Sequence, residues 1–120
     1  NLTANWRLIR SLDPLLRQSD AGRAIFVTSG VARDTQMYWG PYAVSKAVLE
    51  QMVRVYAAEI AHTKLKVNLL DPGRVRTKMR AQAFPGEDPA PLPTPDSIAG
   101  LFVDLASTDC QRNGELLKAY

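Results

Sequence analysis

Residues 24–28 read AIFVT and residues 65–70 read LKVNLL, and a long helical pattern at residues 42–61 separates these two apolar runs. The first run shows no polar alternation, which is typical of a strand buried on both faces of a parallel sheet. The helical pattern is apolar around most of its circumference, so we expect it to be covered on more than one side. Strand, long helix and strand form a βαβ unit. The sequence therefore predicts an α/β fold with an open parallel sheet.

Four further segments surround this unit. Residues 2–16 have helical spacing, and Pro14 is expected to kink or end that helix. Residues 85–95 hold five of the eight prolines and are predicted to be irregular. Thr94 is a candidate N-cap for a helix that reaches Leu105. Residues 115–120 are expected to form a closing strand.

The composition describes one globular domain over residues 1–120, with 46% hydrophobic and 22% charged residues. Disorder, collagen and disulfide scaffolds are excluded. The net charge of +3 is spread along the chain, so we expect no nucleic-acid partner. One histidine and one cysteine cannot assemble a usual zinc site, and no metal is expected. No apolar stretch approaches the length of a membrane span and the chain opens without a secretion signal, so a cytoplasmic protein is predicted.

Several polar residues follow the predicted strands, where ligands gather in open parallel sheets. Ser29 follows the first strand, and Pro72 and Gly73 follow the second. Tyr42 and Lys46 begin the intervening helix and are neighbours on one of its faces. An ammonium group near a phenol favours the phenolate, and a serine hydroxyl can donate to a substrate oxygen. The set is suited to carbonyl reduction or alcohol oxidation.

A tyrosine and a lysine at this spacing also occur by chance in many helices. Lys46 could instead pair with Glu50, which lies four residues further on. The pair alone therefore leaves both interpretations open.

The whole arrangement, however, resembles the short-chain dehydrogenase/reductase family over nearly the entire chain. The resemblance rests on several segments in the same order: the opening Asn1, the strand that ends at Ser29, the Tyr42-x-x-x-Lys46 helix, and the strand that leads into Pro72-Gly73. Each motif is weak alone, but the set at these spacings is specific. It implies a Rossmann-like, doubly wound parallel sheet with flanking helices.

The resemblance also implies a role for each matching residue. Tyr42 would be the acid/base, Ser29 would orient the substrate carbonyl, and Lys46 would favour the phenolate and bind the nicotinamide ribose. Asn1 would hold a water linked to Lys46, the alternative being a surface amide that is frayed at the chain terminus. NAD or NADP would supply the hydride. The residues that would contact the cofactor are Tyr42, Lys46, Pro72, Gly73, Val75 and Thr77.

The loop before Tyr42 and the segment after Thr77 correspond to regions where family members build substrate pockets. Tyr38 and Trp39 would line such a pocket, or would pack beneath their own loop. Residues 78–94 would form a variable, Pro-rich substrate lid over a small carbonyl or alcohol substrate.

One family feature is missing from the sequence. The seven glycines, at positions 22, 30, 40, 73, 86, 100 and 114, are too far apart to form a Gly-rich pyrophosphate turn. We therefore expect this chain to be the C-terminal catalytic half of such an enzyme, without the N-terminal βαβαβ half. Exposed edges and apolar faces would then favour a homodimer or higher homo-oligomer. The alternative is a truncated, non-catalytic remnant that associates with itself.

Overall fold

A computed structural model describes all 120 residues and consists of three strands and four α-helices. In chain order these are α1 (Leu2–Gln18), β1 (Arg23–Val27), α2 (Gly40–Glu59), β2 (Lys66–Asp71), α3 (Lys78–Ala83), α4 (Pro95–Ala106) and β3 (Leu116–Lys118), and a single 3₁₀ turn, Gly30–Ala32, follows β1. None of the helices is both long enough and apolar enough to cross a membrane.

The three strands form one parallel sheet in the order β1-β2-β3. Arg23 pairs with Lys66 and Val27 with Leu70, while Leu69 pairs with Leu116 on the other side of β2. The predicted α/β fold with a parallel sheet is confirmed. Because β1 lies at the end of this order, one of its edges has no strand beside it. Thr28, just beyond β1, donates its backbone N–H to Leu70 O at 2.9 Å, on the side of β2.

The core lies where α2 packs on the central strand. Leu49 and Val53 from α2 and Ile60 just after it are almost fully buried, together with Leu65 and Val67. β2 is buried from Val67 to Asp71, as expected for a central parallel strand covered on both faces. The core therefore fixes the position of α2 relative to the carboxyl ends of β1 and β2.

Three local features differ from the sequence predictions. α1 continues four residues beyond Pro14 and ends at Gln18, so this proline does not end the helix. β1 and β2 each begin at a basic residue, one position away from the predicted bounds. The predicted lid contains the short helix α3, which the proline-rich composition gave no reason to expect.

Candidate active site

The candidate site lies at the carboxyl ends of β1 and β2, around a cavity of about 750 Å³. Ser29 lies just after β1 and precedes the 3₁₀ turn, so its side chain lines the cavity from the β1 side. Pro72 and Gly73 line it from the end of β2, and Trp39 lines it from the loop before α2. Four of the predicted site residues therefore share one cavity.

Tyr42 and Lys46 lie on consecutive turns at the start of α2 and do not themselves line this cavity; Trp39, which does, lies 5.6 Å from the Tyr42 ring. The Lys46 ammonium lies 6.0 Å from the centre of the Tyr42 ring. Tyr42 itself is partly exposed to solvent, with 37% of the residue accessible. Lys46 Nζ donates to Val27 O at 2.8 Å, which anchors the lysine to the end of β1. Burial lowers the pKa of Lys46, because the charged ammonium loses hydration there.

Glu50 is not the partner of Lys46. The Glu50 carboxylate is 2% exposed and accepts hydrogen bonds from Thr28 Oγ1 at 2.8 Å, from Arg33 and from Arg54. Lys46 is therefore left with one backbone partner and with two N–H donors that remain available to a ligand.

Arg33 connects two buried carboxylates behind the cavity. Its guanidinium pairs with Glu50 on α2 and with Asp71 at the end of β2. Asp71, which is 1% exposed, also accepts from Tyr120 Oη at 3.0 Å and from Gly73 N at 3.1 Å. Burial works to lower the pKa of Arg33, but the two carboxylates outweigh it and raise the pKa overall. Burial and the Asp71 carboxylate raise the pKa of Tyr120.

This network was missed by sequence reasoning. Arg33 and Asp71 are far apart in the chain, so no local spacing connects them. The only signal was Glu50, a charged residue on the same stripe of α2 as the buried Leu49 and Val53. Its position on the buried stripe requires a cationic or hydrogen-bonding partner.

Gly73 occupies a left-handed conformation, with φ at +67°. A Cβ atom at this position would lie 2.6 Å from Cδ1 of Tyr120, so the ring packs directly on the glycine backbone. The left-handed backbone and the contact with the Tyr120 ring each require glycine at position 73.

The remaining predicted residues have more varied surroundings. Val75 is buried, and the Thr77 hydroxyl caps α3 by accepting from Arg80 N at 3.1 Å. Tyr38 is 99% exposed with φ at +68°, and it does not line the cavity. Asn1 Nδ2 donates to Ser45 Oγ at 3.0 Å, which ties the start of α1 to the first turns of α2.

Aromatic stacking joins the loop before α2 to the predicted lid. Trp39 stacks on Phe84, with 5.5 Å between ring centres, and contacts Tyr42 at 5.6 Å in a tilted arrangement. The Arg80 guanidinium lies 3.6 Å from the centre of the Phe84 ring. Trp39 thus lines the cavity and at the same time packs against Tyr42 of α2 and Phe84 after α3.

A parallel α/β sheet with a tyrosine, a lysine and a serine at its carboxyl edge defines a Rossmann-like class of protein, and comparison with known proteins gives the family. The family model described as short chain dehydrogenase matches residues 1–88. The chain belongs to the short-chain dehydrogenase family.

Individual relatives agree with this assignment. The chain is 45% identical over 112 residues to the uncharacterized oxidoreductase YciK of Escherichia coli K12, covering 93% of this chain and 44% of YciK. It is 38% identical over 74 residues to an NADPH-dependent aldehyde reductase-like chloroplastic protein of Arabidopsis thaliana, covering 62% of this chain and 26% of that protein.

A solved structure from Shigella flexneri, a short chain dehydrogenase complexed with NADP, superposes with a TM-score of 0.90 at 42% identity. The match covers 97% of this chain and 48% of that one. The chain therefore spans about half the length of its well-matched relatives.

Proposed function

We propose that this chain carries the catalytic residues of an NAD(P)-dependent oxidoreductase that interconverts a small carbonyl compound and an alcohol. The observation that carries the proposal is the cavity that Ser29 and Trp39 line, with the Tyr42 ring against Trp39 and the partly buried, singly anchored Lys46 one helix turn further on. This placement provides a hydrogen-bond donor, a proton donor and a cation at one edge of the sheet.

In this proposal each side chain has a separate task. Ser29 donates a hydrogen bond to the substrate oxygen and orients it. Tyr42 transfers its phenolic proton to that oxygen during reduction, and the nearby Lys46 ammonium stabilises the negative charge that develops on the phenolate. In the direction of oxidation, Tyr42 accepts the proton from the alcohol.

NADP or NAD, when bound, supplies or accepts the hydride. The described residues fit the nicotinamide end of such a cofactor, because the two free N–H donors of Lys46 suit the hydroxyls of a ribose. Pro72 and Gly73 line the cavity wall, and the Tyr120 ring packs on the side of Gly73 where a Cβ would lie. Val75 supports this loop from the core, and Thr77 fixes the start of α3. NADP is favoured because the Shigella flexneri relative is complexed with NADP.

Asn1 holds the amino end of α1 against the helix turn that carries Tyr42, through Ser45. Ser45 Oγ in turn donates to Tyr42 O at 2.8 Å. We assign Asn1 a positioning role for the Tyr42 turn, together with the water link to Lys46 that the family resemblance implies.

The first experiment is a titration of the chain with NADPH and with NADH, followed by an assay of aldehyde reduction with Tyr42→Phe. We expect Tyr42→Phe to bind the cofactor as the parent chain does and to lower kcat by about 10² to 10⁴, because the proton donor is lost. Tyr56→Phe, on the same helix, is the matched control. Undiminished turnover in Tyr42→Phe would remove the role assigned to that phenol.

The groove between α1 and α2 supports a second proposal, that the chain associates with itself. The groove has a volume of about 500 Å³, and Trp6, Val48 and Val55 on its walls are all exposed. Covering such a surface is favourable because apolar area leaves water. Sedimentation velocity should show at least a dimer, and Val48→Lys should dissociate it while Val103→Lys on α4 should not. Equal masses for both variants would refute this arrangement.

A further inference from the structure

We propose that Arg74 recognises an anionic group of the substrate, so that the cavity selects carbonyl compounds that carry a carboxylate on a flat apolar body. This inference rests on the proposed function, because it names the substrate class of the same site.

Two of the four charged side chains that line the cavity are already neutralised within the protein. Asp71 is paired with Arg33, and Arg80 donates to both oxygens of Glu87 at 2.6 and 2.7 Å. The same pairing lowers the pKa of Glu87. These groups therefore have little free hydrogen-bonding capacity to offer a ligand.

Arg74 is different. Its Nη1 lies 4.0 Å from the Glu87 carboxylate, beyond hydrogen-bond distance, and both oxygens of that carboxylate already accept from Arg80. No protein group accepts a hydrogen bond from the Arg74 guanidinium, whose side chain is 73% exposed. A guanidinium with a free planar fork is matched to a carboxylate or a phosphate, which it binds through two parallel hydrogen bonds.

The position of Arg74 sets the orientation of such a ligand. Arg74 directly follows Gly73 and faces the same cavity as Ser29. Asp34 is the other charged residue on the wall whose side chain has no hydrogen-bond partner. It lies near the Ser29 turn, since a Cβ added to Gly30 would be 3.4 Å from Asp34 Oδ2. An anionic group is repelled from the Asp34 side and attracted to the Arg74 side, which leaves the carbonyl end of the ligand for Ser29.

The wall around these charges favours a planar body. Trp39 and Phe84 stack with an interplanar angle of 23°, and Leu92 and Pro93 add further apolar surface. Aromatic faces and proline rings pack well against flat apolar groups. An aromatic aldehyde with a carboxylate combines the three required features.

The test compares 4-formylbenzoate with its neutral analogue 4-formylbenzamide, by calorimetry and by the quenching of tryptophan fluorescence. We expect the carboxylate to bind about two- to fivefold more tightly, the range expected for an ion pair with an exposed guanidinium. Arg74→Met should remove this preference, Arg74→Lys should keep part of it, and Asp34→Asn should retain it. Equal affinities in the parent chain, or a preference that survives in Arg74→Met, would overturn the proposal.

A phosphate of the cofactor has the same anionic chemistry, so a second titration uses NADPH with the same variants. A loss of NADPH affinity in Arg74→Met, without a loss of the carboxylate preference, assigns Arg74 to the cofactor and also overturns the proposal. Binding does not require turnover. Selective binding without reduction would therefore count against the oxidoreductase reaction and leave the role of Arg74 standing.

Discussion

The two concave surfaces of this chain differ in what their walls offer a ligand. The groove between α1 and α2 is almost wholly apolar, and its polar residues are Gln51, Tyr56 and Glu59. The cavity at the carboxyl ends of the strands is larger and is lined by four charged side chains, of which Asp34 and Arg74 have no hydrogen-bond partner for their side chains and Arg74 has only a 4.0 Å ion pair with Glu87. The groove offers a ligand apolar contact area with few oriented hydrogen-bonding groups, whereas the cavity offers a few oriented donors and acceptors. Chemistry is therefore expected where polar groups remain unpaired, and association where apolar area remains uncovered.

The largest expected effect comes from removing Arg33, which supports the cavity and does not touch the groove. Arg33→Met leaves two buried carboxylates without the cation between them, and we expect the free energy of unfolding to fall by about 3–5 kcal/mol. Urea unfolding measures this loss. Arg54→Met is the matched control, because Arg54 contacts the same Glu50 from an exposed position and should cost less than about 1 kcal/mol. Similar losses in both variants would contradict the bridging role.

The Gly73 turn offers a second way to perturb the cavity. Gly73→Ala imposes a side chain on a left-handed residue and drives a Cβ into the Tyr120 ring, so we expect a loss of about 1–3 kcal/mol. Adding Tyr120→Ala should relieve the overlap and leave the backbone strain. Gly86→Ala, with no atom within 4 Å of the added Cβ, should be close to neutral. Thermal unfolding of the three variants distinguishes these contributions.

A change on the groove side should be smaller. Tyr56 Oη donates to Asp13 Oδ1 at 2.8 Å, and Asp13 keeps its pairing with Arg17 when that bond is lost. Tyr56→Phe should therefore cost about 1 kcal/mol, as measured by urea unfolding. Burial raises the pKa of Tyr56, so the unfolded chain loses its phenolic proton first and stability falls as the pH rises above about 10. A loss well above 1 kcal/mol would mean that the groove depends on this bond for its shape.

The smallest expected effect is the pH dependence that Lys46 contributes. Burial lowers its pKa in the folded chain, so the unfolded chain binds more protons between that lowered value and about 10.4. Stability should therefore rise with pH across this window in the parent chain. Subtracting the curve of Lys46→Met isolates the contribution of Lys46 from that of Tyr56. A flat difference curve would show that Lys46 is as well hydrated in the folded chain as in the unfolded one.

The sequence predicted the parallel βαβ unit because apolar runs and helical spacing are local signals. It also placed Ser29, Pro72 and Gly73 at one edge, since parallel strands end on the same side of the sheet. Of the two outcomes expected at Pro14, a kink or an end, the end is not observed there, because α1 continues to Gln18. α3 has six residues and no buried side chain, so its sequence shows no apolar periodicity that would predict a helix.

The ion pairs of Arg33 and the stacking of Trp39 on Phe84 could not be predicted from the sequence. Both join residues that are distant in the chain, and they depend on how the loops fold over the sheet edge. The lack of a hydrogen-bond partner for Arg74 is harder still to predict from the sequence, because it arises from the two hydrogen bonds that Arg80 donates to Glu87.

The bond between Lys46 Nζ and Val27 O has a consequence for the unpaired edge of β1. Thr28 N–H points toward β2, and the Val27 carbonyl of the same trans peptide unit therefore points to the opposite, open side. Lys46 therefore occupies an acceptor that an added strand would also use. A strand that joined the sheet there would compete with the Lys46 ammonium for this oxygen. The ammonium would then be free to turn toward the cavity. Growth of the sheet and availability of the lysine are thus thermodynamically linked through one carbonyl group.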